Sequence, residues 1–258
     1  MLIDAHCHLN DEQFNSDVDT VISRAHDAGV RIIINAGADL ESSRAAVTLA
    51  ERYKSIYVVV GVHPEHAASF DNNALEAIRE LAQHRKVIGI GEIGLDFYWQ
   101  NNPPRDAQES ALKAQLELAE ELNKPVVIHD RDAHVEIMNI IAQRNGKPRG
   151  MLHCFSGDLA MAQQAIDLGW YISFAGSVTF KNATALQAIA RVLPLDRILI
   201  ETDSPYLSPI RGKRNEPRNV ALVAKKIAEL KEILVSSVEQ TTTDNIAKLF
   251  GLEKASER

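Results

Sequence analysis

Two histidines two residues apart, His6 and His8, arrive before any helix has formed, in the run Ile3-Asp4-Ala5-His6-Cys7-His8-Leu9. Strand side chains alternate faces, so both imidazoles project to one side while Cys7 points to the other. Two neutral imidazoles on one face are half of a metal site. Candidates for the other half are Glu92, His129, His153 and Asp203, each where a later apolar run ends. A donor set of nitrogen and carboxylate oxygen without thiolate suits Zn²⁺, Mn²⁺ or Fe²⁺, and Mg²⁺ less comfortably beside so many imidazoles. Two ions are expected, one held by His6, His8, Glu92 and Asp203, the other by Glu92 bridging to His129 and His153. Cations roughly 3.5–4 Å apart need shared negative charge between them. A coordinated water loses much of its proton affinity, and Asp203 is the carboxylate to take its remaining proton as it attacks, so the chemistry expected is hydrolysis.

These residues need elements to hold them. Short β-branched runs alternate with stretches of helical spacing eight times along the chain. The runs predict strands at 2–6, 31–36, 56–62, 86–92, 125–129, 149–154, 170–174 and 197–201. Helices are predicted at 16–28, 40–53, 72–84, 106–122, 132–145, 158–168, 182–192 and 217–232. Eight βα units without a linker or composition shift match a closed (β/α)8 TIM barrel, an α/β fold, better than an open doubly wound sheet. The whole chain, 1–258, reads as one domain, with disorder confined to the polar tail after Leu252. A last helix over 236–249 is expected on the outside of the barrel, closed by Gly251 in a left-handed conformation. On this plan the six metal candidates and His63 all fall at C-terminal strand ends, which converge on the face where such barrels place their active sites. A lone histidine is more often a satisfied core residue; seven such residues on one rim are not an accident.

His63, in Gly61-Val62-His63-Pro64, is read as a residue that contacts substrate or stabilises charge without binding metal. Glu201, two residues before Asp203, either orients a ligand histidine or satisfies a buried polar group. Arg131, two residues past His129, is placed to meet an anionic oxygen with its planar fork. Arg211, Lys213 and Arg214 make a positive loop after the eighth strand, where phosphate sites are frequent in these barrels. Phe97-Tyr98-Trp99, after the fourth strand, offers faces for a nucleobase, although such triplets are more often buried packing. His26 and His84 fall in predicted helices, and His66 and His134 start or precede them, so all four are read as structural or surface residues. Cys7 and Cys154 each follow a site histidine and are read as small apolar packing.

The net charge of −7 argues against a broad basic face that coats nucleic acid, while leaving room for a local phosphate site. The apolar stretch 56–62 is too short to cross a bilayer, and Asp4 interrupts the N-terminus where a signal peptide needs an apolar core. A cytoplasmic protein is expected, with no membrane contact and no obligate protein partner.

Taken in order, Asp4-Ala5-His6-Cys7-His8-Leu9, Gly61-Val62-His63-Pro64, Gly91-Glu92-Ile93-Gly94-Leu95-Asp96, His129 with Arg131, His153-Cys154-Phe155-Ser156-Gly157, Glu201-Thr202-Asp203-Ser204-Pro205 and Arg211 to Pro217 resemble the TatD family of metal-dependent deoxyribonucleases over nearly the whole chain. The resemblance implies a barrel of the amidohydrolase superfamily and a divalent-metal nuclease that removes nucleotides from DNA 3′ ends, acting on single strands or 3′ termini. It implies His6, His8, Glu92, His129, His153 and Asp203 as ligands, the set already read from spacing. Many relatives in the wider superfamily bridge their metals with a carboxylated lysine; here the matching motif carries Glu92. The rivals are a D-aminoacyl-tRNA deacylase or small amide or ester hydrolase on the same scaffold and, from another class, a non-catalytic metal-binding partner protein.

Overall fold

The structure, a computed structural model, describes residues 1–252, so the predicted tail after Leu252 lies outside the described residues. Eight strands follow one another around a single parallel sheet: β1 (Leu2–Cys7), β2 (Val30–Ala36), β3 (Ile56–Val60), β4 (Val87–Asp96), β5 (Val126–Arg131), β6 (Gly150–Leu152), β7 (Tyr171–Phe174) and β8 (Ile198–Ile200). Between them run α1 (Val18–Asp27), α2 (Leu40–Arg52), α3 (Asn72–Leu81), α4 (Arg105–Glu121), α5 (His134–Gln143), α6 (Leu159–Asp167) and α7 (Thr184–Val192); α8 (Val220–Lys231) and α9 (Val235–Phe250) follow β8. This is the (β/α)8 barrel expected. It closes through the segment after β8, where Asp203 N donates to His6 O at 3.0 Å and His8 N to Ser204 O at 2.8 Å. The seam of the barrel therefore joins three metal candidates directly.

Two apolar layers hold the strands. One gathers the helices and the outward-facing strand residues. The other contains Ile3, Ala5, Ile34, Ala36, Val59, Val127, Met151, Tyr171 and Leu199, with Ile88 against it, so every strand contributes and the cluster fills the lumen. Ile246, Leu249 and Phe250 belong to this inner cluster. Thus α9 does not lie on the outside of the barrel, as expected, but plugs its floor. Fully burying each of those side chains contributes about 1.5–3 kcal/mol. Gly251 takes the expected left-handed conformation at φ 67°.

The strands bearing ligands depart from simple alternation. Ile3 and Ala5 face the lumen while Leu2, Cys7 and Leu9 join the outer layer, and the pairing of β1 with β2 shifts between Asp4 and Cys7. That irregularity lets both the apolar floor residues and His6 and His8 face inward. β4 runs four residues past its expected end at 92, pairing Gly94 with His129 and Asp96 with Arg131. Glu92 consequently lies within its strand rather than at the tip. A Cβ on Gly94 would stand 1.9 Å from His129 O, so only glycine lets β4 lie this close to β5. α3 ends at Leu81, which leaves His84 beyond the helix rather than in it. Among the described residues no helix is long and apolar enough to cross a membrane.

Candidate metal centre

The six expected ligands converge at the mouth of the barrel, and His63 joins them. Glu92, 3% exposed, divides the donors between its two oxygens. Its Oε1 lies 2.7 Å from His129 Nδ1, 2.8 Å from His153 Nε2 and 3.5 Å from His63 Nε2. Its Oε2 lies 3.2 Å from His6 Nε2 and 3.4 Å from His8 Nε2. Asp203 Oδ1 faces the same pair at 3.7 and 3.6 Å. Three overlapping groups result: His6, His8 and Asp203; His6, Glu92 and His153; and His63, Glu92 and His129, each with donor atoms within 4.8 Å of one another. The Nε2 atoms of His6 and His8 stand only 3.1 Å apart, both aimed at the carboxylates. Convergent imidazole nitrogens around a shared carboxylate fit divalent cations by donor chemistry and spacing.

A second layer fixes these rings. Glu201, fully buried, faces His153 Nδ1 at 3.2 Å through Oε1, which also accepts from Cys154 N at 2.6 Å, and its Oε2 accepts from Ser173 Oγ at 2.6 Å. Glu201 thus meets a ring nitrogen of His153 together with two other donors. It does so without continuing the strand, because β8 ends at Ile200. Asp203 instead sits in the left-handed region at φ 56°, a strained conformation for a non-glycine residue. Asp4 steadies that segment, accepting from Thr202 N at 2.8 Å and Thr202 Oγ1 at 2.6 Å.

Asp96 was not anticipated as a site residue. Its Oδ2 lies 3.2 Å from His129 Nε2, so the ring is held from behind while Nδ1 points at Glu92. The signal was available: Glu92 and Asp96 are four apart, and the period of a strand puts both on one face once β4 continues through Gly94. His63 Nδ1 accepts from Glu65 N at 3.3 Å, which leaves the ring proton on Nε2, the atom facing Glu92.

Burial opposes charge throughout this cluster; at Glu92 and His8 the partners outweigh it, whereas at His6 and His63 burial prevails. The charges of His153 and His63 and the hydrogen bonds from His129 and His153 hold the Glu92 carboxyl well below its ordinary value. His8, against the cost of burial, is lifted to about 10 by Asp203 and Glu92. Burial, together with the neighbouring His129, lowers His63. Burial keeps the thiols of Cys7 and Cys154 well above their usual range, consistent with inert packing.

The expected substrate contacts separate into two groups. Arg211 and Lys213 are exposed and make no ion pair among the described residues. Arg214 is instead committed to the fold: it bonds Gln13 O, pairs with Asp17 Oδ2 at 2.7 Å and lies over the Phe14 ring at 4.4 Å. It is therefore a strut between the loop and α1 rather than a free phosphate ligand. Arg131 is exposed, with its guanidinium over the Tyr98 ring at 4.1 Å.

A family profile described as TatD related DNase matches residues 3–251. The chain belongs to the TatD family. Among TatD relatives, the uncharacterized metal-dependent hydrolase YabD of Bacillus subtilis is 41% identical over 97% of this chain and 99% of its own. Another, YcfH of Escherichia coli K12, is 39% identical over 98% and 96%. The crystal structure of YJJV, a TatD homologue from E. coli K12, superposes with a TM-score of 0.92 at 30% identity and covers 98% of both chains. Mutants of an organophosphorus hydrolase share the fold at 14–15% identity with TM-scores of 0.64–0.68. With the donors described, this TatD protein is a metal-dependent hydrolase.

Proposed function

We propose that this TatD protein is a deoxyribonuclease, shortening DNA from the 3′ end with two divalent ions held by His6, His8, Glu92, His129, His153 and Asp203. The observation that carries the binuclear reading is the division of Glu92, one oxygen facing His6 and His8 and the other facing His129 and His153. DNA as the substrate is supported by the family's description and by Arg211 and Lys213, exposed charges with no ion pair among the described residues of an acidic protein. When bound, the cations supply electrophilic stabilisation of the phosphodiester and lower the proton affinity of the attacking water.

The chain's own residues do the rest. Asp203, held rigidly by its main-chain bond to His6, accepts the proton released in hydrolysis. His63 donates its Nε2 hydrogen to a phosphate oxygen as negative charge builds. Glu201 and Asp96 keep His153 and His129 aimed at Glu92, and neither touches substrate.

The test is digestion of end-labelled single-stranded DNA with a panel of divalent ions, with Asp203→Asn purified in parallel. Stepwise loss from the 3′ end, abolished by chelator and in the variant at unchanged circular dichroism, is the expected result. No cleavage with any ion overturns the nuclease and shifts the substrate to a smaller ester or amide.

A further inference from the structure

The aromatic triplet after β4 does not behave as a unit. Phe97 packs on the core, under Arg105 at 4.0 Å, whereas Tyr98 and Trp99 are 50% and 51% exposed. Their rings meet edge to face at 86° with centroids 4.7 Å apart, forming a half-exposed corner on which the Arg131 guanidinium also rests. Beside it lies a cavity of about 500 Å³ lined by Glu65, Tyr98, Trp99, Gln100, Asn101 and Asn102. That volume is within the range of small-ligand sites, roughly 300–1,000 Å³.

Resting on the nuclease reading above, we propose that this corner and cavity hold a nucleobase of a single-stranded DNA substrate beside the metal cluster. The wall chemistry selects such a ligand. Three side-chain amides offer donors and acceptors to a polar ring edge, and two aromatic faces offer stacking. The lining has a carboxylate and no cation, which disfavours a phosphate group within the cavity itself. Phosphate belongs instead to Arg131, whose guanidinium lies 4.1 Å from the Tyr98 centroid and 5.4 Å from that of Trp99. Lying over the Tyr98 ring and near that of Trp99, Arg131 brings N–H donors that can bond an oxygen of the nucleic-acid backbone.

The corner is tied to the centre on two sides. Tyr98 N donates to Asp96 Oδ1 at 3.0 Å and Asn102 Nδ2 to Asp96 O at 3.1 Å, while Asp96 holds His129. On the opposite wall, the backbone of Glu65 bonds His63. A base seated here places its own phosphate toward the cluster. Amides read either polarity of base edge, so the subsite recognises a base without strongly choosing which one.

The test compares a thymidine decamer with the same decamer ending in an abasic residue at its 3′ terminus, using the metal-loaded enzyme. Wild type is expected to favour the base-bearing strand. Trp99→Leu should raise KM for it about 10–100-fold, the worth of one stacked base, with a much smaller change in kcat. It should also bring the ratio of kcat/KM between the two strands close to one, and Trp99→Phe should restore most of it. A general disturbance of the rim would lower both strands alike and leave the ratio unchanged, which would overturn the subsite. So would a wild type that cuts DNA without distinguishing the two strands. A wild type that cuts neither strand removes the nuclease reading, and the subsite with it.

Discussion

At the floor of the barrel Lys86 is 7% exposed, and at the mouth Glu92 is 3% exposed; both are charges taken out of water, but their partners differ. Lys86 Nζ donates to the carbonyls of Tyr53, Lys54 and Ile56 at 3.2, 2.8 and 2.9 Å, so its three hydrogens meet three acceptors. Nearby polar groups follow the same pattern, with Lys124 bonding Val87 O and Asn245 bonding the carbonyls of Leu195 and Ile198. Glu92 faces His6, His8, His63, His129 and His153, ring nitrogens that point at it and at one another. A buried charge with matched backbone partners ties chain segments together. A buried carboxylate ringed by convergent donors is arranged for cations.

The sharpest way to break this contrast is to remove Glu92. Glu92→Ala should abolish the bridge, with activity falling on the order of 10³-fold or more and metal content dropping by elemental analysis of the purified protein. Full activity at unchanged metal content would refute the binuclear arrangement. Lys86→Met should do the converse: a loss of about 2–4 kcal/mol in denaturant unfolding, because carbonyls lose their donors, at unchanged metal content. A metal-binding defect in that variant would erase the distinction between the two ends.

Smaller effects divide the basic loop. Replacing Arg211 and Lys213 together with Gln should flatten the salt dependence of oligonucleotide binding, the logarithmic slope falling by roughly 1–1.5. Arg214→Gln should leave that slope intact and cost about 1 kcal/mol of stability, because the pair with Asp17 is only half-buried and partly screened by solvent. The hydrogen bond from Arg214 lowers the Asp17 carboxyl, against partial burial and with help from Arg24, below the ordinary 3.8. A depressed carboxyl stabilises the fold above its unfolded value. The difference between wild type and Arg214→Gln should therefore persist at neutral pH and vanish as pH falls through the folded value, as acid titration of unfolding would show.

Much of this was legible because strand and helix periods leave strong marks. The run of Ile56 to Val60 and the alternation around His6 and His8 locate strands and ligands without help from packing. What stayed hidden depends on contacts between distant segments. The apolar stripe of α9 says that Ile246, Leu249 and Phe250 are covered, not whether by helices or by the lumen. The extension of β4 beyond 92 was not legible, since the value of Gly94 for close approach to His129 exists only once β5 lies alongside. Arg214 reads as a ligand for phosphate because nothing in its neighbours announces Asp17.

The floor plug also constrains the path of a polymer. With Ile246, Leu249 and Phe250 packed against the inward residues of the strands, the lumen beneath the histidines is solid. A nucleic-acid strand cannot thread the barrel as through a ring. On the nuclease proposal, a DNA strand would have to lie across the mouth, present its end to the centre and leave by the side from which it came, sliding or rebinding before each further cut.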